Sequence, residues 1–512
     1  MKNSITLFDF SKKLNYKNEI LAGLTVAMTM IPESLSFAIL AGLSPLTGLY
    51  AAFLMGLVTA VLGGRPGMVS GGAGATIVVL IALIQAHGVQ YLFATVALAG
   101  IFQMLVGIFK LGKFVRLIPQ PVMYGFLNGL AVIIFMAQIE QFKITDAQGT
   151  ISWMRGTSLY IMGGLTALTI AIVYFFPKIT KVIPASLVAI LVVFGIVAGF
   201  NINTKTVEDV ASISGSLPEF HIPKIPFSLE TLQIIFPYAL VMAGVGLIES
   251  LLTLSMVDEI TNSKGSANRE SVAQGVANIT NGFFGGMGGC AMVAQTLVNL
   301  NAGSRARLSG IIASVTILII ILFGAPLIGK IPMAALAGVM MMVSISTFQW
   351  VSIRIVNKMP RSDIFVGITV ALITIVLHNL ALAVLIGVII AALVFAWDNA
   401  KRIRAKKYVD ENGIKHYEIY GPLFFGSATA FTDKFDPVND PDEVVVDFKE
   451  SRIVDMSAID ALDKLSKRYH QQNKVLYLRY LSEDCRAMLK NAEAVIEVNI
   501  QDDPTYKVMP EK

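Results

Sequence analysis

TMIPESLSFAIL, residues 29–40, sets Pro32 and Glu33 side by side inside an otherwise apolar run. Lipid offers a carboxylate no solvent, so a glutamate there needs a wet or protein-lined surrounding. Proline has no N–H and disturbs a helix, which opens the backbone beside that glutamate. A second such stretch, LIESL, occupies residues 247–251, and aligning Glu33 with Glu249 gives an offset of 249 − 33 = 216. SGGAGAT at 70–76 is similar to GMGGCAM at 286–292, and aligning Gly74 with Cys290 gives 290 − 74 = 216 again. Two local similarities at one offset argue for two homologous halves.

The composition sets the class. The chain has 512 residues, 55% hydrophobic and 15% charged, with mean hydropathy +0.68. A soluble domain is nearer a quarter charged, so this reads as an integral membrane protein with some soluble mass attached. A span needs about 20 apolar residues. About fourteen segments qualify, near 19–42, 45–63, 73–86, 91–110, 117–139, 158–176, 183–200, 231–256, 270–286, 290–301, 307–325, 332–349, 362–378 and 380–397. Loop charges support the count. One set of alternate connections carries Arg65, Lys110, Lys113, Arg116, Lys178, Lys181, Lys264, Arg269, Arg305, Arg307, Arg354, Lys358 and Arg361. The other carries only Lys143, Arg155, Lys205, Lys224 and Lys330. Basic residues stay inside, which puts both termini in the cytoplasm and the 201–230 loop outside.

Two halves of seven spans each must enter the membrane in opposite senses, because seven is odd. In such inverted repeats, paired glycine-interrupted segments mark a central binding site. Short helices that begin inside the protein present free N–H groups and a positive dipole end to an anion. Glu33 and Glu249 are repeat mates, and Thr253 lies one turn beyond Glu249 on the same helix face. Competing readings are plainer. A glutamate can cap a broken helix, a threonine can bond back to its own helix, and glycines can serve close packing. The paired placement favours the functional reading of the glutamates and glycines.

Other classes find little support. The two cysteines, Cys290 and Cys485, lie far apart and suggest no disulfide, and Cys290 reads as a packing residue. Five scattered histidines give no metal-ligand spacing. The net charge of +5 reads as loop charge rather than a nucleic-acid footprint. No P-loop or nucleophile elbow is present, so no enzyme is expected. The first apolar segment is long and follows Lys12, Lys13 and Lys17, which fits a retained span rather than a cleaved signal.

IPESLSFAILAGLSPLTGLYAAF at 31–53 closely resembles the signature of the SulP family of sulfate permeases, and NGFFGGMGGCAMVAQTLVNLNAGSRARLSG at 281–310 resembles that family's tenth-span region. The resemblance implies an α-helical membrane protein of seven plus seven spans, with a core of spans 1–4 and 8–11 that moves against a gate of spans 5–7 and 12–14. It implies an anion site at Glu33 and Phe37, at Gly74, Ala75 and Thr76, and at Ala291, Met292 and Val293. Glu33, Glu249 and Thr253 are the expected coupling-ion residues. Many relatives carry arginine where this chain has Gln295, so a fixed positive charge is absent here.

After KRIRAKK at 401–407 the composition turns soluble. HYEIYG, EVVVDF and KVLYLRY read as strands, and 427–435, 456–471 and 482–490 as helices, which together suggest a small α/β layer domain. VDMSAIDAL at 454–462 resembles the STAS domain of the same family. There Ser457 falls at a position phosphorylated in related antagonists, although Ala458 replaces the usual glycine, and an N-cap is its plainer reading. The expected layout is a cytoplasmic segment 1–18, a transporter domain 19–397 with repeats at about 19–200 and 231–397, a basic linker 398–410, and the STAS domain 411–512.

The expected function is secondary active transport of a small anion of the sulfate, bicarbonate or dicarboxylate class, by proton-coupled symport. Sodium-coupled bicarbonate symport and anion exchange are the alternatives, ahead of an uncoupled channel, a nucleobase transporter or a STAS-signalling membrane regulator. No cofactor is expected beyond H+ or Na+. The expected partners are the anion, the lipid bilayer of the inner (plasma) membrane, a second copy in a homodimer, and a protein meeting the STAS domain. No nucleic acid is expected.

Overall fold

The computed structural model describes residues 15–112, 119–145, 151–180, 183–209, 215–377, 380–491 and 499–501. The loop charges Lys113, Arg116 and Lys181 lie outside them. Two compact units are present, residues 1–388 and 389–512.

The first unit is helical. Its first half holds α1 (Tyr16–Leu40), α2 (Pro45–Leu62), the two-residue strand β1 (Ser70–Gly71), α3 (Gly74–Val78), α4 (Ile81–His87), α5 (Val89–Ile108), α6 (Gln120–Glu140), strands β2 (Lys143–Thr145) and β3 (Ile151–Trp153), α7 (Thr157–Ile179) and α8 (Ala185–Gly199). The second half holds α9 (Leu229–Thr261), α10 (Ala267–Phe283), β4 (Cys290–Ala291), α11 (Val293–Asn301), α12 (Leu308–Gly329), α13 (Met333–Thr347), the short α14 (Trp350–Arg354), α15 (Arg361–Leu377) and the start of α16 (Leu380–Ala400), which continues into the second unit. Every apolar segment read from the sequence falls on a helix, and the third falls on two, α3 and α4. Among the described residues, eight helices are long and apolar enough to cross a membrane.

The helices pack in two groups. One joins α1, α2, α5, α9, α10 and α12, and the other joins α6, α7, α8, α13 and α15. These are the expected core and gate. Helix α1 also touches α13 and α8, so it forms the seam between them. The connection from α8 to α9 lies across the core. Tyr50 of α2 donates to the Ser216 carbonyl at 2.9 Å, Lys224 N–H donates to Gln90 at 2.9 Å, and His221 N–H donates to the Phe283 carbonyl at 2.8 Å.

The two interrupted segments meet where β1 and β4 pair antiparallel, Ser70 with Ala291 and Gly71 with Cys290. Antiparallel pairing is what segments entering in opposite senses produce. A Cβ on Gly289 would lie 1.9 Å from the Gly71 carbonyl oxygen, so only glycine lets the backbones cross. The structure also corrects the repeat register at this point. The helix starts pair Ala73 with Met292, an offset of 292 − 73 = 219 rather than 216. Helix α9 runs 261 − 249 = 12 residues past Glu249 and α1 only 40 − 33 = 7 past Glu33; this excess of 5 is cut to 3 by the shorter path from the end of α9 to Met292. The sequence match of Gly74 with Cys290 followed glycine content, not helix position.

The second unit is a five-stranded sheet in the order β5-β6-β7-β8-β9, formed by β5 (Arg404–Val409), β6 (Lys415–Leu423), β7 (Glu443–Ile453), β8 (Val475–Arg479) and β9 (Asn499–Gln501). Strands β6 to β9 are parallel and β5 is antiparallel. Helices α17 (Ala428–Thr432), α18 (Met456–His470) and α19 (Glu483–Asn491) accompany it, and alternate residues of β6 and β7, such as Tyr417, Ile419, Val444 and Val446, fill the core with Phe431, Leu462 and Leu489. Arg404–Val409, read from sequence as part of a basic linker, is thus an edge strand. Its lysines suit a sheet edge, where charge discourages further pairing. Asp455, not Ser457, is the N-cap of α18, accepting from Ala458 N–H at 2.9 Å, and Ser457 is exposed beside it.

Asp440 ties this unit together. Its carboxylate accepts from Lys415 at 2.5 Å and from Tyr417 at 2.7 Å, and also from Tyr469. Burial raises its pKa, but the bonds from Lys415, Tyr469 and Tyr417 outweigh burial and leave it below the ordinary carboxylate value. A depressed carboxyl pKa stabilises the fold above the unfolded value of about 3.9 and loses that effect as pH falls through the folded value. Asp440→Asn is expected to cost about 3 kcal/mol, as loss of one member of a buried pair does. Limited proteolysis of the full chain should show earlier cleavage in residues 404–491, converging with wild type only at strongly acidic pH. Gly289→Ala should destabilise the detergent-purified protein by about 3 kcal/mol, the upper end of the usual cost of overpacking, and so lower its thermal midpoint. An unchanged midpoint would refute the tight crossing.

Candidate functional site

The crossing of β1 and β4 leaves backbone outside any helix, and buried side chains satisfy it. Asn278 takes both sides of Gly289, accepting its N–H at 2.9 Å and donating to its carbonyl at 3.0 Å. It also donates to Gln103 at 2.8 Å. Gln274 donates to the Ser70 hydroxyl at 2.8 Å, and the Ser250 hydroxyl accepts from Ala291 N–H at 3.1 Å. Thr296 accepts from Val69 N–H at 3.0 Å, and Asn299 donates to the Gly67 carbonyl at 2.9 Å. Glu270, Gln274 and Asn278 recur one turn apart, so α10 presents a polar stripe to the crossing. That four-residue spacing was visible in the sequence, inside a segment read only as a span.

Beside the crossing lies a cavity of about 360 Å³. Core elements form one wall: Glu33 and Phe37 of α1, Ala73 to Ala75 at the start of α3, Glu249 and Leu252 of α9, and Met292 to Gln295 at the start of α11. Gate helices form the other, through Met123, Leu127, Leu130 and Ile134 of α6 and Val343, Ser346 and Thr347 of α13. The Phe37 ring rests on Gly74, where an added Cβ would lie 2.3 Å from it.

Of the residues expected at the site, the structure brings together Glu33, Phe37, Gly74, Ala75, Glu249, Met292 and Val293. Thr76, Ala291 and Thr253 are fully buried and are not among the lining residues. Thr76 donates to the Ala73 carbonyl at 2.9 Å, and Thr253 donates to the Glu249 carbonyl at 2.7 Å. Both hydroxyls therefore serve their own helices, as threonine commonly does.

Each glutamate has one side-chain donor. Gln295 of α11 donates to Glu33, and the Cys290 thiol donates to Glu249 at 2.8 Å. The sequence reading placed Cys290 in packing and missed this bond, because a cysteine gives no signal of its partner. Neither α3 nor α11 has a side-chain N-cap. In α11 the first internal bond runs from Thr296 N–H to Met292, so the N–H groups of Val293 to Gln295 precede the helix ladder. Helix α3 is only five residues long, so its dipole is weaker than that of nine-residue α11. The described lining holds two carboxylates and no lysine, arginine or histidine.

A second hollow of about 330 Å³ lies on the C-terminal sheet, among Tyr408, His416, Glu418, Asp447 and Arg479. It mixes both charges and contains none of the repeat-related residues.

Comparison with known proteins agrees with this architecture. Residues 16–370 match the Sulfate permease family, and residues 406–505 match the STAS domain. The putative sulfate transporter YbaR of Bacillus subtilis is 40% identical over 476 residues, covering 93% of this chain and 97% of that protein. The bicarbonate transporter BicA of Picosynechococcus is 30% identical over 506 residues, covering 91% and 88%. Among solved structures, the transmembrane domain of a cyanobacterial BicA aligns with TM-score 0.63 at 29% identity, covering 73% of this chain and 98% of that one. The inward-facing murine Slc26a9 anion transporter shares the fold, with TM-score 0.81 at 17% identity over 94% of this chain and 88% of that one. From its first helix through its C-terminal sheet, the chain is a member of the sulfate permease family carrying a STAS domain.

Proposed function

We propose that this chain is a secondary active transporter that carries a small oxyanion, of the sulfate, bicarbonate or dicarboxylate class, together with a proton. The relatives' names, a putative sulfate transporter and a bicarbonate transporter, support the substrate class. The observation that carries the coupling is the pair Glu33 and Glu249 on one cavity without a cationic side chain. An anion of charge −1 or −2 entering beside two carboxylates would leave the site strongly negative. The free N–H groups of α11 offer only about +0.5. Uncompensated charge in a low-dielectric setting is costly, so a cation must travel with the anion. Binding a proton to one glutamate supplies it without new ligands.

In this reading the N–H groups at α11 hold the anion, and Phe37 with Leu130 and Ile134 excludes water on the gate side. Gln295 and Cys290 hold the glutamates in position. The core then carries the loaded site past the gate, and α1 is the surface along which they slide. The chain would sit as a multi-pass protein in the inner (plasma) membrane with both ends cytoplasmic, as a homodimer. Exposed Ser457 on the STAS domain would be the regulatory position.

Glu33→Gln and Glu249→Gln are each expected to lower proton-driven uptake by about tenfold or more, in line with the 1.5–3 kcal/mol of a charge-assisted hydrogen bond. The measurement is uptake of labelled sulfate and, separately, bicarbonate into proteoliposomes under an inward proton gradient. Wild-type rates in both variants would remove the glutamates from the site. Gln295→Arg places a fixed positive charge against Glu33, so uptake should lose its dependence on the proton gradient. Unchanged dependence in that variant, or a wild type that needs an anion on the opposite side, would replace symport with exchange.

A further inference from the structure

The surroundings of Glu249 select among cations. Its carboxylate meets the Cys290 sulfur at 2.8 Å. Cys290 is fully buried, and its position is set by the backbone around it: Gly289 is held on both sides by Asn278, and Ala291 N–H is held by Ser250. One turn along the helix, Thr253 donates its hydroxyl to the Glu249 carbonyl at 2.7 Å and does not line the cavity. An alkali ion is a hard cation and needs several oxygen ligands, while neutral sulfur suits soft metals. A proton needs one oxygen. A thiol is also a weak donor and a weak acceptor, so it can face a carboxylate and then its acid form without leaving either unpaired.

We propose that Cys290 is a specificity-determining residue for the coupled cation: its sulfur occupies the place where a sodium ion at Glu249 would require an oxygen ligand, so this site turns sodium away. The inference rests on the reading of the cavity as the transport site, and deepens it.

The test uses the full chain in proteoliposomes, with labelled sulfate and bicarbonate as separate probes and external sodium exchanged for choline at a fixed proton gradient. Wild-type uptake should be the same in both salts. Cys290→Ser, which exchanges sulfur for a hydroxyl of similar geometry, should become several-fold faster in sodium. Cys290→Ala, which offers no ligand, should show no sodium response. A second measurement is the shift of Tm with added sodium chloride over choline chloride in detergent, expected in Cys290→Ser alone. This arm decides the matter if the serine variant does not transport. A wild type already accelerated or stabilised by sodium overturns the proposal. So does a folded serine variant that shows neither response. Absence of all uptake by the wild type would count against the transport reading instead, leaving the Tm comparison to decide the role of Cys290.

Discussion

Backbone that leaves helical geometry inside a membrane must find its hydrogen bonds within the protein, because lipid supplies none. The rest of this transporter unit is arranged around that requirement. Strands β1 and β4 satisfy one another only in part, being two residues each. Asn278, Gln274, Ser250, Thr296 and Asn299 supply further bonds, each from a helix packed around the crossing. Core rigidity and site geometry therefore have one origin. The side chains that make the break tolerable also set where the cavity wall lies.

The same economy appears at the end of the core where basic loop residues gather. Glu19 of α1 is buried and accepts from the N–H groups of Arg305, Ala306 and Ser309 at 2.8, 3.1 and 3.0 Å, and from the Ser304 hydroxyl at 3.0 Å. A carboxylate there satisfies the orphan donors at the start of α12 and complements its dipole. Arg65 pairs with Asp258 at 3.2 Å, and Glu270 accepts from Gly64 N–H at 2.7 Å. These bonds tie α1, α2, α9, α10 and α12 together.

Much of this was legible in the sequence because apolar runs and basic loops are imposed by the membrane itself. Helix positions followed from such patterns, and the inversion and the pairing of Glu33 with Glu249 followed from the repeated motif that carries them. The register at β4 was not legible, since a glycine-rich match reports composition and the true equivalence depends on how far α9 extends. Thr253 had the right spacing for the site, yet its hydroxyl turned to its own helix, a choice spacing does not encode. Cys290 and Glu19 were missed for a related reason: each acts through a partner distant in the chain, 41 residues away for Cys290 and 285 or more for Glu19. Strand β5 was hidden because charged residues on an edge strand read as a linker.

The unlike partners of the two glutamates have a consequence for the resting protein. If the halves of an inverted repeat were identical, a two-fold axis in the membrane plane would relate the inward-open and outward-open forms and give them equal energy. Here Glu33 is bonded across the repeat, from α1 to α11, by an amide, while Glu249 is bonded within its own half by a thiol. Under the proposed motion of the core against the gate, water access to these two bonds would change differently. That inequality would lift the degeneracy, so the proposed carrier, when empty, would favour one facing over the other, and returning empty would cost more in one direction of its cycle.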